Sequence, residues 1–219
     1  MVTRGLLYEE IGNMRREISV MAARVKEDLG KALTILHSGG DNLLDEIKDS
    51  GKIVDGLELK IEDMALGIIA TQQPVARDLR ELVTVFKITS SLERIGDYGI
   101  HLAKAAKKLS KRPSFRSMGR IEHMAETGQQ MLNDAFSAYL AQDAEAARKA
   151  AALDEIIDSE HKALTEEVLV FMKAKPNLVK AAARLLKLSG YMERLGDHAR
   201  NICEGVIYIS EGRHEDLNV

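Results

Sequence analysis

The sequence contains few of the residues that cross-link or interrupt a chain. Its 219 residues include one cysteine, three prolines and no tryptophan, and aromatic residues make up only 4%. The single cysteine, Cys203, cannot form an internal disulfide, and we interpret it as a small buried hydrophobic residue in a reducing compartment. Few prolines, together with abundant Ala, Leu, Glu, Lys and Met, predict an all-α fold.

Long apolar runs are missing as well. No window approaches the roughly 18–20 apolar residues of a membrane span, and the opening stretch MVTRGLLYEEIG lacks the apolar core of a signal peptide. We therefore expect a cytoplasmic protein that meets a membrane only through partners. A net charge of −3 gives no reason to expect nucleic-acid binding. Glycine-rich phosphate loops and the GxSxG, HExxH and CxxC motifs are absent, so no enzyme is expected.

The prolines divide the chain into periodic segments. Pro74, Pro113 and Pro176 all fall between segments, where a missing N–H costs least. Within the segments apolar residues recur at intervals of three and four, which is typical of a helix with one buried face. The expected helices cover 6–37, 42–72, 75–110, 117–141, 143–174 and 178–211.

One segment of the chain is repeated after one hundred residues. LERIGD at 92–97 returns as MERLGD at 192–197, and five of the eleven residues that end in each motif are identical. This repetition predicts an internal duplication of a three-helix unit. The predicted fold class is all-α, with six long helices in two tandem antiparallel three-helix bundles joined end to end. The first bundle would comprise residues 1–112 and the second 113–219.

The repeated motif is poor helix material. Glu93 and Asp97 lie one turn apart and repel each other by a few tenths of a kcal/mol, and Gly96 costs about 1 kcal/mol relative to alanine. In one explanation, the glycine only lets a neighbouring helix approach, while Arg94 partly neutralises Asp97. In the other, the two carboxylates are half of a cation site that a second helix completes.

The second helix of each unit carries a matching polar stripe. Aligning IVDGLE with IIDSEH pairs Asp55 with Asp158 and Glu58 with His161. Carboxylates with an imidazole suit iron, manganese or zinc, and carboxylates alone also suit magnesium. The predicted metal-binding residues are Asp55, Glu58, Glu93 and Asp97 in the first unit, and Asp158, His161, Glu193 and Asp197 in the second.

Other polar residues carry weaker signals. Glu62 and Asp154 extend the two stripes. Asp28 and Asp134 interrupt apolar runs at comparable places, and we interpret them as polar partners across each bundle. His198 points away from the motif around the helix and is expected to be exposed. These residues are not assigned to a site.

Several motifs in order give a family resemblance. QQPVARDLR at 72–80, LERIGD, and MERLGD one hundred residues later resemble the PhoU family of phosphate-uptake regulators across the whole chain. The resemblance implies a non-enzymatic negative regulator of the phosphate-starvation response in phosphate homeostasis. Such a regulator couples the ATPase subunit of a high-affinity phosphate ABC transporter to a sensor histidine kinase. A cytoplasmic homodimer is also implied, as is metal binding by the E(D)xxxD motifs through Glu93, Asp97, Glu193 and Asp197, with Asp55 and Asp158 as neighbours.

Two other interpretations stay open. A ferritin-like di-iron carboxylate protein would use Asp158 and His161, but its site normally needs four converging helices. A purely structural helical module would use its charges only for partner contacts. An anion site at Arg77 and Arg80, in the opening turns of the third helix, would not be duplicated, because the second unit has NLVKAAARL there. Surface salt bridging is the simpler role for these two arginines.

Overall fold

Helices make up almost all of the chain that the structure describes. The computed structural model describes residues 2–38, 40–109 and 118–217. The predicted domain boundary at 112/113, with Pro113, lies outside the described residues. A 3-10 turn spans Pro176–Leu178. The α-helices are α1 (Val2–Ser38), α2 (Asp41–Gln72), α3 (Ala76–Leu109), α4 (Met118–Ala141), α5 (Ala144–Ala151), α6 (Asp154–Ala174) and α7 (Val179–Glu211).

The all-α prediction is confirmed, with one difference in the second bundle. The predicted helix 143–174 is interrupted between α5 and α6 by a turn at Ala152 and Leu153, neither of which is a helix breaker. Asp143 caps α5, since its carboxylate accepts hydrogen bonds from the next N–H groups. The break makes Asp154 the first residue of α6, where the helix dipole favours a negative charge.

The two bundles lie side by side, so the expected end-to-end arrangement is wrong. α1, α2 and α3 pack together, as do α4, α5, α6 and α7, and the most extensive contact joins α3 to α7. These two helices run antiparallel, with Arg80 beside Ile209 and Tyr98 beside Tyr191. The physical reason is that both helices bury more than one face, and the buried apolar residues of both bundles form one continuous core.

A buried polar network crosses between the bundles. Glu81 on α3 is only 2% exposed, and its carboxylate accepts two hydrogen bonds from Arg15 on α1, at 2.6 and 2.5 Å. From the second bundle, Gln142 donates to the same carboxylate at 2.6 Å and the Tyr139 hydroxyl at 3.4 Å. A buried charge requires such partners, so this network favours one relative placement of the bundles.

Candidate metal-binding faces

Each repeated motif lies in the middle of a third helix, with its glycine packed against the second helix of the same bundle. A methyl group on Gly96 would lie 3.7 Å from Val54, an ordinary contact. A methyl group on Gly196 would lie 3.1 Å from Ile157 and would overlap the carboxylate of Asp154. Close helix approach therefore explains the second glycine, whereas the first position has room for a side chain.

The structure brings the predicted residues of the first unit together on one face. We call Asp55, Glu58, Glu62, Glu93 and Asp97 the first acidic face. Glu93 is half-buried; burial raises its pKa, and the negative charges of Asp97 and Asp55 raise it further. Burial also raises the pKa of Glu58, followed by the charge of Glu93 across the helix pair. The carboxylates of α2 and α3 therefore act on one another.

The basic residue of the first motif neutralises this face only in part: Arg94 opposes the raised pKa of Glu93 and of Glu58 without reversing either. Its side chain is 57% exposed, and Arg94 Nε lies 3.5 Å from a Glu93 oxygen. An exposed ion pair of this kind contributes little. Within the described residues no ion pair joins Arg94 to Asp97, contrary to the expected neutralisation. The first acidic face is left with an excess of negative charge.

The second unit gathers its predicted residues in the same way. We call Asp154, Asp158, His161, Glu193 and Asp197 the second acidic face. Burial raises the pKa of Glu193, Asp197 raises it further, and the His161 imidazole opposes the shift. His161 thus lies at the place that Glu58 takes in the first unit, as the alignment of the repeats indicates.

A buried ion pair distinguishes the second acidic face. Asp154 is 3% exposed and pairs with Arg200, whose other terminal nitrogen donates to Asp197 at 2.6 Å. Burial raises the pKa of Asp154 to about 6, although Arg200 opposes the shift. The Oδ1 atom of Asp154 is buried without a hydrogen-bond partner. Sequence reasoning missed Arg200, and the only available signal was a basic residue at the position where the first unit has Ile100.

The hydrogen bonds of His161 define which of its nitrogens is free. Its Nδ1 lies 3.0 Å from the hydroxyl of buried Ser189, and that hydroxyl donates to the Leu186 carbonyl at 2.9 Å. When the Ser189 hydroxyl donates to Leu186, the matching neutral tautomer of His161 carries its hydrogen on Nδ1 and donates to Ser189. This leaves the Nε2 lone pair of His161 available, the arrangement that metal-binding histidines share.

The weaker sequence candidates lie elsewhere. His198 is half-buried against the Tyr98 ring, with centroids 5.7 Å apart, so its expected exposure is wrong. Cys203 is buried, and burial raises its pKa to about 12, so it is the inert residue expected. Asp28 is buried whereas Asp134 is exposed, so only the first is placed as a polar residue inside its bundle.

The arginines that open α3 are not arranged as an anion site. Arg80 donates to the Ile209 carbonyl at 3.3 Å, in the last turn of α7. Its guanidinium also packs against Gly212, which ends that helix in a left-handed conformation. Arg77 is exposed. Arg80 therefore caps α7, because a cation at a helix C-terminus binds the unpaired carbonyls.

The two acidic faces provide metal donors without a ready-made metal cage. Within residues 2–38, 40–109 and 118–217, no three carboxylate, imidazole or thiol groups converge closely enough to hold one ion. The donor set fits hard and borderline cations, since it combines carboxylates with the Nε2 of His161 in the tautomer that donates from Nδ1 to Ser189. A bound cation would have to draw these side chains together.

The sequence matches the PhoU domain twice, over residues 18–106 and 121–206. The chain belongs to the PhoU family. The two matches fall on the two bundles, which accounts for the repeated motif and for the internal duplication. PhoU membership also agrees with the resemblance that the motifs indicate.

PhoU relatives match this chain over most of its length. It is 29% identical to the phosphate-specific transport system accessory protein PhoU homolog of Clostridium acetobutylicum, over 99% of this chain and 100% of the relative. The corresponding homolog from Aquifex aeolicus is 32% identical over 94% of this chain and 93% of the relative. The phosphate-specific transport system accessory protein PhoU of Escherichia coli K12 is 26% identical over 95% of this chain and 87% of the relative.

Solved PhoU structures share the fold. The crystal structure of PhoU from Pseudomonas aeruginosa superposes with a TM-score of 0.90 at 28% identity, covering 94% of this chain and 99% of that one. The phosphate transport system regulatory protein PhoU from Streptococcus pneumoniae superposes with a TM-score of 0.87 at 26% identity, covering 96% of this chain and 99% of that one. Among the described residues, no helix has the length and apolar character needed to cross a bilayer.

Proposed function

We propose that this protein is a non-enzymatic regulator of phosphate uptake and a negative regulator of the phosphate-starvation response. The observation that supports the proposal is the match of the whole chain to accessory proteins of the phosphate-specific transport system. Both copies of the repeated motif are present at corresponding places in α3 and α7. In this role the protein works in the cytoplasm as a homodimer and reaches the membrane only through its partners.

The proposed mechanism is that of a rigid adaptor. Its partners are the ATPase subunit of a phosphate ABC transporter and a sensor histidine kinase. The continuous core and the buried Glu81 network hold the two bundles in a defined arrangement. A rigid body can present two surfaces at a constant separation, so that binding of one partner controls access to the other.

The test is complementation in a bacterium that lacks its own PhoU protein. With ample phosphate, a starvation-response reporter should be active in this strain, and expression of this protein should repress it. A tagged copy should capture the transporter ATPase and the kinase from the same cells. A reporter that stays active despite full expression of folded protein would contradict the proposal.

We infer further that the two acidic faces bind divalent or transition metal ions, among Fe, Zn, Mn and Mg. Burial raises the pKa of Glu58, Glu93 and Glu193, and the neighbouring carboxylates raise it further, so a cation would relieve an existing electrostatic cost. On the second face, the free Nε2 of His161 adds a donor that suits Fe, Zn or Mn. The metal would stabilise the faces or complete a partner surface.

The metal proposal is tested by measuring bound metal in protein purified without chelators, and by equilibrium dialysis against Mn²⁺. Replacing the four acids of the two repeated motifs by alanine should abolish stoichiometric binding and leave the helix content intact. A matched control removes the same number of charges from exposed acids elsewhere, Glu9, Glu126, Asp134 and Glu166. Metal retained by the first variant, or lost equally from both, would contradict the site.

The two alternatives predict different results. A ferritin-like protein would consume oxygen in the presence of ferrous iron, but here Asp55 and Asp158 are exposed on outer faces instead of converging in a bundle core. A purely structural module would bind no metal yet still capture partners. Metal content and oxygen uptake, measured on one preparation, separate the three functions.

A further inference from the structure

The contact between α3 and α7 continues beyond the repeated motifs as far as the stacked rings of His101 and Tyr191. The antiparallel register is defined by Arg80 beside Ile209, Thr84 beside Gly205 and Tyr98 beside Tyr191. Extending this register along the two helices, which continue to Leu109 and back to Val179, pairs residues 104–108 of α3 with residues 181–185 of α7. We call this end of the contact the basic seam.

The basic seam carries positive charge only. Residues 98–109 and 179–192 contain no aspartate or glutamate. Among the residues that the structure describes, Lys104, Lys108, Lys180 and Arg184 make no contact with a carboxylate. Several basic side chains elsewhere are paired, as Lys87 is with Glu204 at 2.8 Å and Arg148 with Glu211 at 2.9 Å, although others, such as Lys26 and Arg77, have no carboxylate partner among the described residues. What distinguishes Lys104, Lys108, Lys180 and Arg184 is that these unpaired cations lie on two segments without any acid, in a protein of net charge −3.

The cations form two rows that start side by side. His101, Lys104 and Lys108 follow one another at helical spacing along α3, as do Tyr191, Lys187, Arg184 and Lys180 along α7. The rings of His101 and Tyr191 stack at 5.2 Å and 17°, which joins the two rows at one end. Lys187 lies over the same tyrosine ring, 5.8 Å from its centroid.

We propose that the basic seam is a docking surface for an acidic segment of a partner protein. The row from Lys180 to Tyr191 spans about 16 Å at the rise of an α-helix, which matches about five residues of extended chain. A segment lying between the rows could place carboxylates against cations on both sides. The proposal deepens and rests on the proposed function, because an adaptor needs a surface that a partner recognises.

Two other anionic partners fit the seam less well. Neither row contains an exposed large aliphatic side chain, which a surface that inserts into a bilayer would need. Along the same helix pair, the opposite end carries Glu204, Glu211 and Glu215. There these acids are paired with Lys87, Arg148 and Arg213, so a long nucleic acid passing along the helices would meet no continuous row of unpaired cations, whereas a short acidic segment ends before it.

The test uses a fluorescein-labelled peptide with five consecutive glutamates, and anisotropy at low salt. In the seam variant, Lys104→Glu, Arg184→Glu and Lys187→Glu are combined. The matched control, Lys26→Glu with Lys52→Glu and Lys149→Glu, makes the same charge change on exposed lysines outside the seam. We expect the seam variant to bind at least about tenfold more weakly, with the control close to wild type.

Controls on folding and on partner class complete the experiment. A glutamine version of the seam variant, which adds no negative charge, should also lose binding while its thermal melt stays unchanged. No peptide binding by the wild type, or equal loss in seam variant and control, would overturn the proposal. Tighter, seam-dependent binding to vesicles with anionic lipid or to an oligonucleotide would overturn it as well. Peptide binding alongside failed complementation would count against the proposed function alone.

Discussion

The two repeats place different residues at the same crossing of the second and third helices. Where the second helix crosses the third, the first unit has Gly51 against Ile100, and a methyl group on that glycine would lie 2.8 Å from the isoleucine Cδ1. At the equivalent positions the second unit has Asp154 paired with Arg200. One helix pair is closed by a small residue and an aliphatic side chain, and its copy by a buried ion pair.

The difference changes the electrostatics of the acidic faces. Arg200 holds both Asp154 and Asp197, so a fixed guanidinium partly neutralises the second face. Among the described residues, the ion pair on the first face is that of Glu93 with the exposed Arg94. A duplicated fold can therefore keep its carboxylates while altering how much they need an external cation. In this protein the first face has the larger uncompensated charge.

The largest expected effect comes from making the second unit resemble the first. Arg200→Ile leaves Asp154 buried and unpaired at pH 7, and the free energy of unfolding should fall by about 3–5 kcal/mol. The double variant, with Asp154→Gly added, recreates the glycine and isoleucine pair of the first unit and should recover much of that loss. Urea denaturation of both variants measures the difference. A stable single variant, or a double variant no better than the single, would contradict the comparison.

The glycines of the two motifs should respond to alanine with opposite signs. Gly96→Ala gains helix propensity of up to about 1 kcal/mol, and its methyl group makes an ordinary contact with Val54. The methyl group of Gly196→Ala would push Asp154 and Ile157 away from α7, at a cost of about 1–3 kcal/mol. This variant should therefore be less stable overall. Thermal unfolding compares the pair, and shifts in the same direction would show that the two sites are packed alike.

Much of the fold could be predicted because helical periodicity and duplication are local patterns. The third and sixth predicted helices, 75–110 and 178–211, lie close to α3 and α7. Side-by-side packing could not be predicted, since a period shows that a face is apolar but not which helix covers it. The break before Asp154 could not be predicted either, because alanine and leucine normally continue a helix.

The parts of the candidate site that lie on a single helix could be predicted, and the contacts between helices could not. Shared spacing placed Glu93 with Asp97 and, in the copy, Glu193 with Asp197 on one helix face, and the structure adds the second helix beside each pair. The ion pair of Arg200 depends on contacts between helices far apart in sequence. Burial of His198 depends on packing between the bundles, which no pattern within one helix reports.

The two faces should differ in metal affinity. Without a fixed cation, the first face should bind Mn²⁺ about tenfold more tightly than the second, a difference of about 1.4 kcal/mol. Glu193→Ala with Asp197→Ala leaves the first face intact, and Glu93→Ala with Asp97→Ala leaves the second. Calorimetric titration of these two variants gives each affinity separately. Equal affinities, or tighter binding to the second face, would show that Arg200 does not act as the internal counter-ion.

The smallest expected effect concerns the pH dependence of the two first helices. Burial, the largest influence on this carboxyl group, raises the pKa of Asp28 above its usual 3.8. The folded protein then holds this proton to a higher pH than the unfolded chain, so the free energy of unfolding falls as pH rises from 3.8 through the raised pKa. Asp28→Asn removes this titration and should flatten the slope in that window, whereas Asp134→Asn changes an exposed side chain and should leave it unaltered. Urea unfolding across pH 4 to 8 measures the slope for each variant. Equal slopes for Asp28→Asn and Asp134→Asn would contradict the prediction, because they would show that burial of Asp28 does not affect the pH dependence of stability.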